Sequence, residues 1–578
     1  MRENWRVYNK SYQAIQNQLG IAPVLAKILA NRIQQEDAQA YMDREGKLSD
    51  PMRMRDMDRA VALVMQNIRE GNRIYVIGDY DVDGMTSSTI LGKVLKKFKA
   101  DVKIRIPDRI EDGYGIRPYM VEECAREGTG LILTCDNGIR EFEAAHRARE
   151  LGITLIITDH HELKQEDGRD VLPEADAVVN PHRQDDSYPF EKLCGAGVAY
   201  QLARALVQQA GLPEEPDWIG YAALGTVCDV MPLIGENRKI VYQGLRQWNR
   251  KPPTAIRALM KQGGIEKLDV YAFGFIIGPM INSGGRLDEQ QHYIMALLEE
   301  DPERAEKAAA QLYELNRLRQ KMTEEGIQRG LAELEKQPED RVLVIYLPEL
   351  HESLAGLVAG RIREKTQKPV FVLTGSADHV KGSGRSIPAY NMVGEMQRTE
   401  EFFQRYGGHP MAAGLSMEEN QIEGWRRRLN ENCVLTQEDC LPVVYIDMAM
   451  PLQYADERMA ELLEVLEPYG SCNPKPIFAD KELKLIRLFW MGKQKKAARL
   501  VLEQQGQIYE GVCFRPERLQ ECLCEGYSEA LWNRLDRGEQ LENAPIVDIC
   551  YNVGWNVYRG RKSLQIVITN IRCSFSKA

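Results

Sequence analysis

Short apolar runs alternate with longer amphipathic segments through the first third of the chain. Between residues 72 and 180, five β-branched runs predict strands, and most of the segments between them carry apolar residues at helical spacing. The predicted strands are Ile74–Ile77, Val102–Ile106, Leu131–Thr134, Thr154–Ile157 and Ala177–Val179. Continuous apolar runs separated by helices are typical of βαβ units, so we predict a parallel sheet that is covered on both faces.

The pattern changes three times after residue 195. Residues 195–330 indicate helices, and the stretch 301–336 predicts one long connecting helix. A second, smaller α/β pattern begins at Arg341, and after about Cys440 short strands alternate with turns around one helical segment near 515–537. We therefore predict an α/β protein of four parts: a parallel-sheet domain with an N-terminal helical extension (1–300), the connecting helix (301–336), a smaller α/β domain (337–435) and a β module (436–578).

Composition narrows the class of protein without changing this outline. The 578 residues include 75 Lys and Arg against 85 Asp and Glu, a formal charge of −10, and 44% are hydrophobic. These values exclude a disordered chain and nucleic-acid binding through bulk positive charge, so any polyanion must contact a local patch. Twelve cysteines without a CxxC pair favour free thiols, and the longest apolar run, 270–281, is too short to span a membrane. We expect a cytoplasmic protein with no membrane association.

Acidic and imidazole side chains follow the early strands of the predicted sheet. They are Asp79, Asp81, Asp83, Asp136, Asp159, His160 and His161. Because the carboxyl ends of parallel strands meet at one edge, we expect these residues to converge in one crevice, with Asp229 completing the cluster from a helix end. A single Asp-Gly or Asn-Gly turn has an ordinary explanation as turn chemistry. The whole set, however, could not stay ionised together without a counter-charge.

A divalent cation would supply that counter-charge. Carboxylate oxygens with one or two imidazoles suit Mn²⁺ or Mg²⁺ better than zinc. Two such ions about 3.5–4 Å apart are the usual device for in-line attack on a phosphodiester. From the residues alone, the expected chemistry is therefore metal-assisted phosphoester hydrolysis.

Motifs along almost the whole chain, from about residue 20 to 572, resemble those of the RecJ exonucleases of the DHH phosphoesterase superfamily. They are GDYDVDGMTSS (78–88), CDNGI (135–139), TDHHE (158–162), NPH (180–182), LCGAGVAY (193–200), GTVCDVMPL (225–233), INSGGRLD (281–288), GSGRS (382–386), GGHPMAAG (407–414) and LEPYGSCNPKPIF (466–478). The resemblance implies a DHH catalytic domain, a DHH-associated domain and a C-terminal OB-fold. The chain departs from the family pattern at Met280, where Arg is frequent, and at Cys472, where Gly is frequent.

The resemblance also implies roles for particular residues. The catalytic set is Asp79, Asp81, Asp83, Asp136, His160, His161 and Asp229, of which all but His161 are expected metal ligands, and Asp159 is expected to orient His160. The expected substrate-binding residues are Arg286, His351, Arg361, Ser383, Arg385, Gly407, Gly408 and His409. Single glycine pairs such as Gly407-Gly408 also suit ordinary turns.

Basic and aromatic residues lie side by side in the C-terminal module. The candidates for a single-strand groove are Trp490, Lys493, Lys495, Lys496, Tyr558, Arg559 and Arg561. Rings that stack on bases beside cations that contact phosphates fit such a groove. The alternative is a solvated charged edge above core aromatics.

By this resemblance, the expected function is metal-dependent 5′-to-3′ degradation of single-stranded DNA to 5′-mononucleotides in DNA repair and recombination. Two other functions stay open: a DHH-type phosphodiesterase of short oligonucleotides or nucleotides, and a catalytically silent DNA-binding scaffold. The expected partners are single-stranded DNA and, in addition, a helicase and a single-strand-binding protein. The family suggests a monomer.

Overall fold

The computed structural model of the chain describes residues 3–109, 112–287, 297–336, 339–376, 379–492, 494–558 and 560–574. Within these ranges, no helix combines the length and the apolar character needed to cross a membrane.

The N-terminal segment is one strand and three helices, and it belongs to the C-terminal module. Its elements are β1 (Asn4–Val7), α1 (Gln13–Leu19), α2 (Pro23–Arg32) and α3 (Ala38–Met42). Ile28, Leu29 and Tyr41 are buried in the same apolar cluster as the C-terminal barrel, and β1 pairs in parallel with residues 443–446. The prediction that this segment extends the first domain is therefore corrected, because its apolar faces are buried by residues more than 400 positions away.

The first domain is built on a five-stranded parallel sheet, as predicted. Its elements are α4 (Met57–Glu70), β2 (Arg73–Ile77), α5 (Val82–Lys97), β3 (Val102–Arg105), α6 (Pro118–Arg126), β4 (Thr129–Cys135), α7 (Phe142–Glu150), β5 (Thr154–Thr158), β6 (Lys164–Glu166), β7 (Arg169–Val171) and β8 (Ala177–Val179). The sheet order is β3-β2-β4-β5-β8, and β6 and β7 form a separate hairpin. Ile74 and Val76 pack in one apolar cluster and Tyr75 and Ile77 in another, so both faces of the sheet are covered.

Helices complete this domain and lead to the next. They are α8 (Gly195–Gln209), α9 (Trp218–Cys228), α10 (Gly235–Arg250), α11 (Thr254–Gly263), α12 (Val270–Ala272), a π-helical turn (Phe273–Ile277), α13 (Gly278–Leu287) and α14 (Pro302–Leu334). Helix α14 is the predicted connecting helix, and the Asp301 side chain caps its first turn.

The second domain has a five-stranded mixed sheet. Its elements are β9 (Leu343–Tyr346), α15 (Ala355–Thr366), β10 (Val370–Gly375), β11 (Val380–Arg385), α16 (Met392–Gln397), β12 (Arg405–His409), β13 (Ala412–Met417) and α17 (Ile422–Asn432). The order is β12-β13-β11-β10-β9, and β9 and β10 are its parallel pair. The sequence pattern does not indicate strands β11 to β13, because their Gly and Ser residues hide the apolar alternation.

The C-terminal module is a closed barrel. Its elements are β14 (Val443–Ile446), β15 (Met448–Ala449), α18 (Glu457–Leu463), β16 (Phe478–Met491), β17 (Ala497–Gln504), β18 (Gln507–Cys513), α19 (Pro516–Gly526), α20 (Glu529–Asp536), β19 (Ile546–Tyr558) and β20 (Arg561–Cys573). The order β16-β17-β18-β20-β19 closes through a β16–β19 pairing, so five strands form the barrel. This is the OB-fold arrangement that the sequence motifs imply.

Arg238 joins the first domain to this module. Its guanidinium is fully buried and donates hydrogen bonds to the carbonyl oxygens of Val465 (2.8 Å) and Leu466 (2.9 Å), and to that of Tyr41 in the N-terminal segment (3.1 Å). Because a buried charge that loses its partners is costly, these bonds hold the two units in one arrangement.

Candidate active site

Three aspartates follow β2: Asp79 and Asp81 lie on a short loop, and Asp83 lies in the first turn of α5. Asp81 caps helix α5, and its carboxylate accepts hydrogen bonds from the backbone amides of Asp83 (2.9 Å) and Gly84 (3.1 Å). A Cβ atom at Gly84 would lie 2.5 Å from the backbone of Asp79, so only glycine lets this loop fold back on itself. The loop and the first turn of α5 therefore place three carboxylates at the carboxyl edge of the sheet.

Asp83 is held by the N-terminus of helix α8. Its two carboxylate oxygens accept hydrogen bonds from the amides of Gly195 (2.7 Å) and Ala196 (2.9 Å), where the helix dipole favours negative charge. A Cβ atom at Gly195 would lie 2.6 Å from Cβ of Asp136, and one at Gly225 would lie 2.5 Å from Oδ1 of Asp83. The glycines of the LCGAGVAY and GTVCDVMPL motifs thus leave room for the acidic cluster.

His160 lies at the centre of the cluster. Its Nε2 atom is 3.1 Å from Oδ1 of Asp136 and 3.7 Å from carboxylate oxygens of both Asp83 and Asp229. Burial, above all, lowers the pKa of His160, which favours the neutral imidazole that binds metals. Four residues that are far apart in sequence therefore share one site, as the sequence predicts.

Asp159 is placed behind the two histidines. Its carboxylate accepts hydrogen bonds from the amides of Ile139 (3.0 Å), His160 (2.7 Å) and His161 (3.1 Å), and lies 2.8 Å from Nδ1 of His161. Burial lowers the pKa of His161, but the hydrogen bond to Asp159 and the nearby carboxylates outweigh it and raise that pKa to about 9. Asp159 is therefore in a position to orient the His161 ring, whereas it contacts His160, the residue that it was expected to orient, only at the backbone amide.

The carboxylates of this cluster lack cationic partners. Within the described part of the chain, no Lys or Arg nitrogen forms an ion pair with Asp79, Asp81, Asp83 or Asp136, and the buried Oδ1 atom of Asp79 accepts no hydrogen bond. Burial, and then the neighbouring carboxylates, raise the pKa values of Asp79 and Asp136 far above the usual range and that of Asp229 to about 8. Such a site calls for added positive charge.

The donor set fits divalent cations. Three groups of side chains bring their ligand atoms within 4.8 Å of one another: Asp79, Asp81 and Asp136; Asp83, His160 and Asp229; and Asp136, His160 and His161. Asp136 and His160 each belong to two of these groups, so the three groups form one continuous cluster. Oxygen-rich ligands with one or two imidazoles suit Mn²⁺ and Mg²⁺.

A cationic groove lies between the first and second domains beside the metal-binding cluster. Arg109, Arg286, Ser383 and Arg385 line a cavity of about 320 Å³, together with Lys381, which forms an ion pair with Glu352 at 2.9 Å. Burial, and then the charge of Arg109, lower the pKa of Arg286 to about 9, and burial, Arg363 and Arg109 lower that of Arg385. Arginines that are crowded together in this way form a ready site for a phosphate.

The sheet of the second domain forms one wall of this groove. Arg385 pairs with Ala412 and Ala412 with His409, so these three residues lie in one row across β11, β13 and β12. The next row is Ser383, Gly414 and Gly407, and a Cβ atom at Gly407 would meet open space. The predicted residues Ser383, Arg385, Gly407 and His409 thus share one face of the sheet, and Gly408 takes a positive φ of 148° between them.

Two other predicted residues lie apart from the groove lining. His351 makes a 2.8 Å hydrogen bond through Nδ1 to the Ser353 hydroxyl, and Arg361 is exposed and pairs with Glu364 at 3.0 Å. Met280 is fully buried in the core of the first domain, and Cys472 is exposed with a φ of 55°.

The predicted DNA-groove residues cluster at two loops of the barrel. Lys495 and Lys496 lie in the β16–β17 loop and Arg561 begins β20, and these loops are the ones that OB-folds use for oligonucleotides. Trp490, however, donates its Nε1–H to Asp536 (3.0 Å) and packs edge-to-face against Trp532, so it is less free to stack than expected. Lys493, Arg559 and the side chain of Tyr558 lie outside the described residues.

Sequence reasoning missed several residues of the site. Arg109 stacks over the ring of Tyr80 at 4.6 Å, and the Tyr114 hydroxyl donates to the carbonyl oxygen of Asp136 at 2.7 Å. Asn282 accepts a hydrogen bond from the amide of Val82 at 3.2 Å and so ties α13 to the aspartate loop. Arg109 and Tyr114 follow β3, whose end lies on the same edge of the sheet. Their position after a predicted strand could therefore have identified them as candidate site residues.

Family models match three parts of the chain. They are the DHH family N-terminal domain over residues 73–226, the DHHA1 domain over 339–434 and the RecJ OB domain over 446–570. The single-stranded-DNA-specific exonuclease RecJ of Escherichia coli is 31% identical over 579 residues, which cover 95% of this chain and 96% of the relative. The chain belongs to the RecJ family.

Other RecJ proteins agree with this placement. The RecJ exonuclease of Bacillus subtilis is 32% identical over 89% of this chain, and the chain spans 66% of that relative's length. A crystal structure of Thermus thermophilus RecJ in complex with Mn²⁺ superposes with a TM-score of 0.80 and 27% identity, covering 99% of this chain and 80% of that one. A Mg²⁺ complex of the same protein gives a TM-score of 0.75 at 26% identity.

Proposed function

We propose that the protein is a metal-dependent exonuclease that removes 5′-mononucleotides from the 5′ end of single-stranded DNA, in DNA repair and recombination. The observation that carries the proposal is the juxtaposition of two uncompensated charge clusters. Carboxylates without cationic partners lie beside arginines that crowd one another, and a phosphodiester with divalent cations would neutralise both.

The cation ligands in this proposal are Asp79, Asp81, Asp83, Asp136, His160 and Asp229. Bound Mn²⁺ or Mg²⁺, in a pair, would lower the pKa of water and neutralise charge on the phosphoryl oxygens. Asp159 would hold the backbone of His160 and the ring of His161 in place beside the cations through its hydrogen bonds, as carboxylates behind metal sites do. The α8 amides hold both carboxylate oxygens of Asp83 in place beside His160.

The arginine groove supports the 5′ direction. Arg286, Ser383 and Arg385 would bind the terminal 5′-phosphate, and Gly407, Gly408 and His409 would extend that surface across the sheet. With the end of the strand held there, the next phosphodiester is the one that reaches the carboxylate cluster. Each turnover therefore releases one nucleotide that carries its 5′-phosphate, while the 3′ oxygen is the leaving group.

The barrel separates this proposal from its alternatives. A phosphodiesterase of dinucleotides has no use for the barrel loops that carry Lys495, Lys496 and Arg561. A silent scaffold would not keep a complete set of carboxylates in a buried site, since unpaired buried charge is costly without a cation. We therefore favour the exonuclease, acting as a cytoplasmic monomer on single strands that a helicase and a single-strand-binding protein supply.

The direct test is nucleotide release from end-blocked substrates. With Mn²⁺, we expect mononucleotides from a 3′-blocked single-stranded oligonucleotide and none from a 5′-blocked one, and no release by the Asp81→Ala variant. Release from both ends, or an active Asp81→Ala protein, would contradict the proposal. A blunt duplex should be degraded much more slowly than the single strand.

A further inference from the structure

An exposed pair of aromatic rings lies on the helix that borders the carboxylate cluster. Tyr271 and Phe275 are 63% and 64% exposed, and their rings stack with centroids 5.0 Å apart and planes inclined by 21°. Large apolar side chains that are exposed next to each other often mark a binding site, because apolar surface in water is unfavourable. Phe275 stands in the π-helical turn, and such turns occur frequently at functional sites.

This turn packs against the residues that immediately precede Asp229. A Cβ atom at Gly278 would lie 2.4 Å from Sγ of Cys228, and one at Gly274 would lie 3.6 Å from Cγ1 of Val227. Gly278 therefore lets the helix approach the end of α9 closely, whereas a Cβ atom at Gly274 would make only an ordinary contact. The aromatic pair and the candidate ligand Asp229 are carried by two elements in direct contact.

Val230, the residue after Asp229, is a second unusual apolar feature at this place. It is 70% exposed and has a φ of 58°, a conformation that is strained for a β-branched residue. Strained residues of this kind cluster at functional sites. We call Tyr271 and Phe275 the aromatic shelf.

The same continuous helix spans the site from end to end. Arg286 of the phosphate groove lies at its far end, and Asn282 and Gly285, in between, contact the aspartate loop at Val82 and Tyr80. From Phe275 to Arg286 is eleven residues, or about 16 Å along the axis. Nucleotides stacked at about 3.4 Å would cover this distance in about five steps, and an extended strand in fewer.

We propose that the aromatic shelf is a base-stacking subsite, where bases from about the third nucleotide onward, on the 3′ side of the scissile phosphate, rest while the 5′ end occupies the cationic groove. The inference rests on the proposed exonuclease function and deepens it. It commits to bases of a single strand, because aromatic faces stack on every base and the phosphates of the same strand are bound at the other end of the helix. Double-stranded DNA cannot offer free base faces to such a surface.

The test compares short and long substrates. We would measure kcat/KM with Mn²⁺ for 5′-phosphorylated oligothymidylates of two and eight nucleotides, using wild type, Tyr271→Ala/Phe275→Ala and Phe275→Tyr. The double alanine variant should lose about 5- to 150-fold on the eight-nucleotide substrate and less than about twofold on the dinucleotide. Phe275→Tyr, which keeps the ring, should behave as wild type. Tyr454→Ala, which removes another exposed aromatic ring (55%), is the matched control.

A scan with one abasic position per eight-nucleotide strand locates the subsite by binding, measured as fluorescence anisotropy without turnover. An abasic position among nucleotides three to five, which a dinucleotide lacks, should weaken binding to wild type, and the same substitution should cost the double alanine variant much less. The proposed subsite would be contradicted if the double alanine variant lost kcat/KM equally on both substrate lengths, or if it showed the same abasic profile as wild type. A wild type that binds with this profile but releases no nucleotide would contradict the exonuclease and leave the shelf standing.

Discussion

Two regions of the molecule are rich in charged side chains: the C-terminal barrel, and the cleft between the first and second domains. They differ in whether these side chains have partners of opposite charge. On the barrel, basic side chains are paired with acidic ones at the surface: Lys484 with Glu503, Lys495 with Asp536, Arg499 with Glu510 and Lys562 with Glu464, at 2.7–3.2 Å. In the cleft, Asp79 and Asp136 have no lysine or arginine partner among the described residues, and Arg286 and Arg385 line a groove with other cations.

A count of charged residues would not distinguish these two regions, but the pairing of the charges does. Exposed ion pairs contribute about 0–1 kcal/mol each, so the barrel could exchange most of them at little cost. Buried charges without partners are expensive, and they persist where a ligand supplies the missing charge. The imbalance of charge, rather than its density, therefore distinguishes the cleft that holds the candidate metal ligands from the barrel.

Removing one carboxylate from the cluster should have the largest effect. Asp136 belongs to two of the three candidate ligand groups, so Asp136→Asn should reduce the rate of nucleotide release by at least about 10³-fold. Because burial and Asp83 already penalise the ionised Asp136 carboxylate, the variant should not unfold at a lower temperature than wild type in EDTA. Release assays and thermal denaturation would measure both.

Asp101→Asn is the matched control for this variant, since Asp101 pairs with Arg73 on the surface at 2.9 Å. It should keep full activity. Addition of Mn²⁺ should raise the melting temperature of wild type and of Asp101→Asn, but much less that of Asp136→Asn. A stable, metal-responsive and active Asp136→Asn protein would contradict the assignment of the cluster.

Removing an arginine from the cationic groove should have the second-largest effect on activity, and the size of the effect should depend on whether the substrate carries a 5′-phosphate. Arg385→Ala should lower kcat/KM for a 5′-phosphorylated strand by about 10- to 100-fold, because hydrogen bonds to charged groups contribute about 1.5–3 kcal/mol. For a strand with a 5′-hydroxyl, the loss should be far smaller. Arg317→Ala, which removes an exposed partner of Glu314, should affect neither substrate. Equal losses on both substrates would mean that Arg385 does not bind the terminal phosphate.

A substitution at Asp159 would test whether the hydrogen bonds that hold the two histidines affect metal binding. Asp159→Asn keeps the size of the side chain but weakens its hydrogen bonds to the amides of both histidines and to the ring of His161. Residues of this kind affect metal affinity or activity by about 10- to 100-fold. Titration of activity with Mn²⁺ should therefore show a higher metal requirement. If the half-saturating Mn²⁺ concentration were unchanged, Asp159 would have only a structural role.

Much of this site was predictable because it lies at strand ends. The apolar runs that became β2, β4 and β5 fix the edge where Asp79, Asp136 and His160 meet, so position in the sequence implied position in space. Arg109 obeys the same rule after β3 but stands alone as a cation, and the residues gave no reason to choose it. Its role emerges only beside Arg286 and Arg385, which other parts of the fold bring close.

Contacts between distant segments could not be predicted. Nothing in residues 13–42 indicates that their apolar faces belong with a barrel that begins more than 400 positions later, yet Leu29 and Tyr41 are buried there. The pairing of Lys495 with Asp536 likewise depends on how α20 folds back over β16. Strand and helix patterns are local, whereas the neutralisation of a charge depends on the tertiary fold.

The smallest effect is expected from substitutions on the barrel, where the basic side chains already have acidic partners. Lys495→Ala with Lys496→Ala should weaken binding of a long single strand only a few-fold at physiological salt. The slope of log K against log salt should fall by about 0.7 for each phosphate that the variant no longer neutralises. Lys261→Ala with Lys336→Ala, two exposed lysines paired with Glu306 and Glu333, is the control and should leave the slope unchanged. If both pairs changed it equally, the barrel loops would contribute general charge rather than a path for the strand.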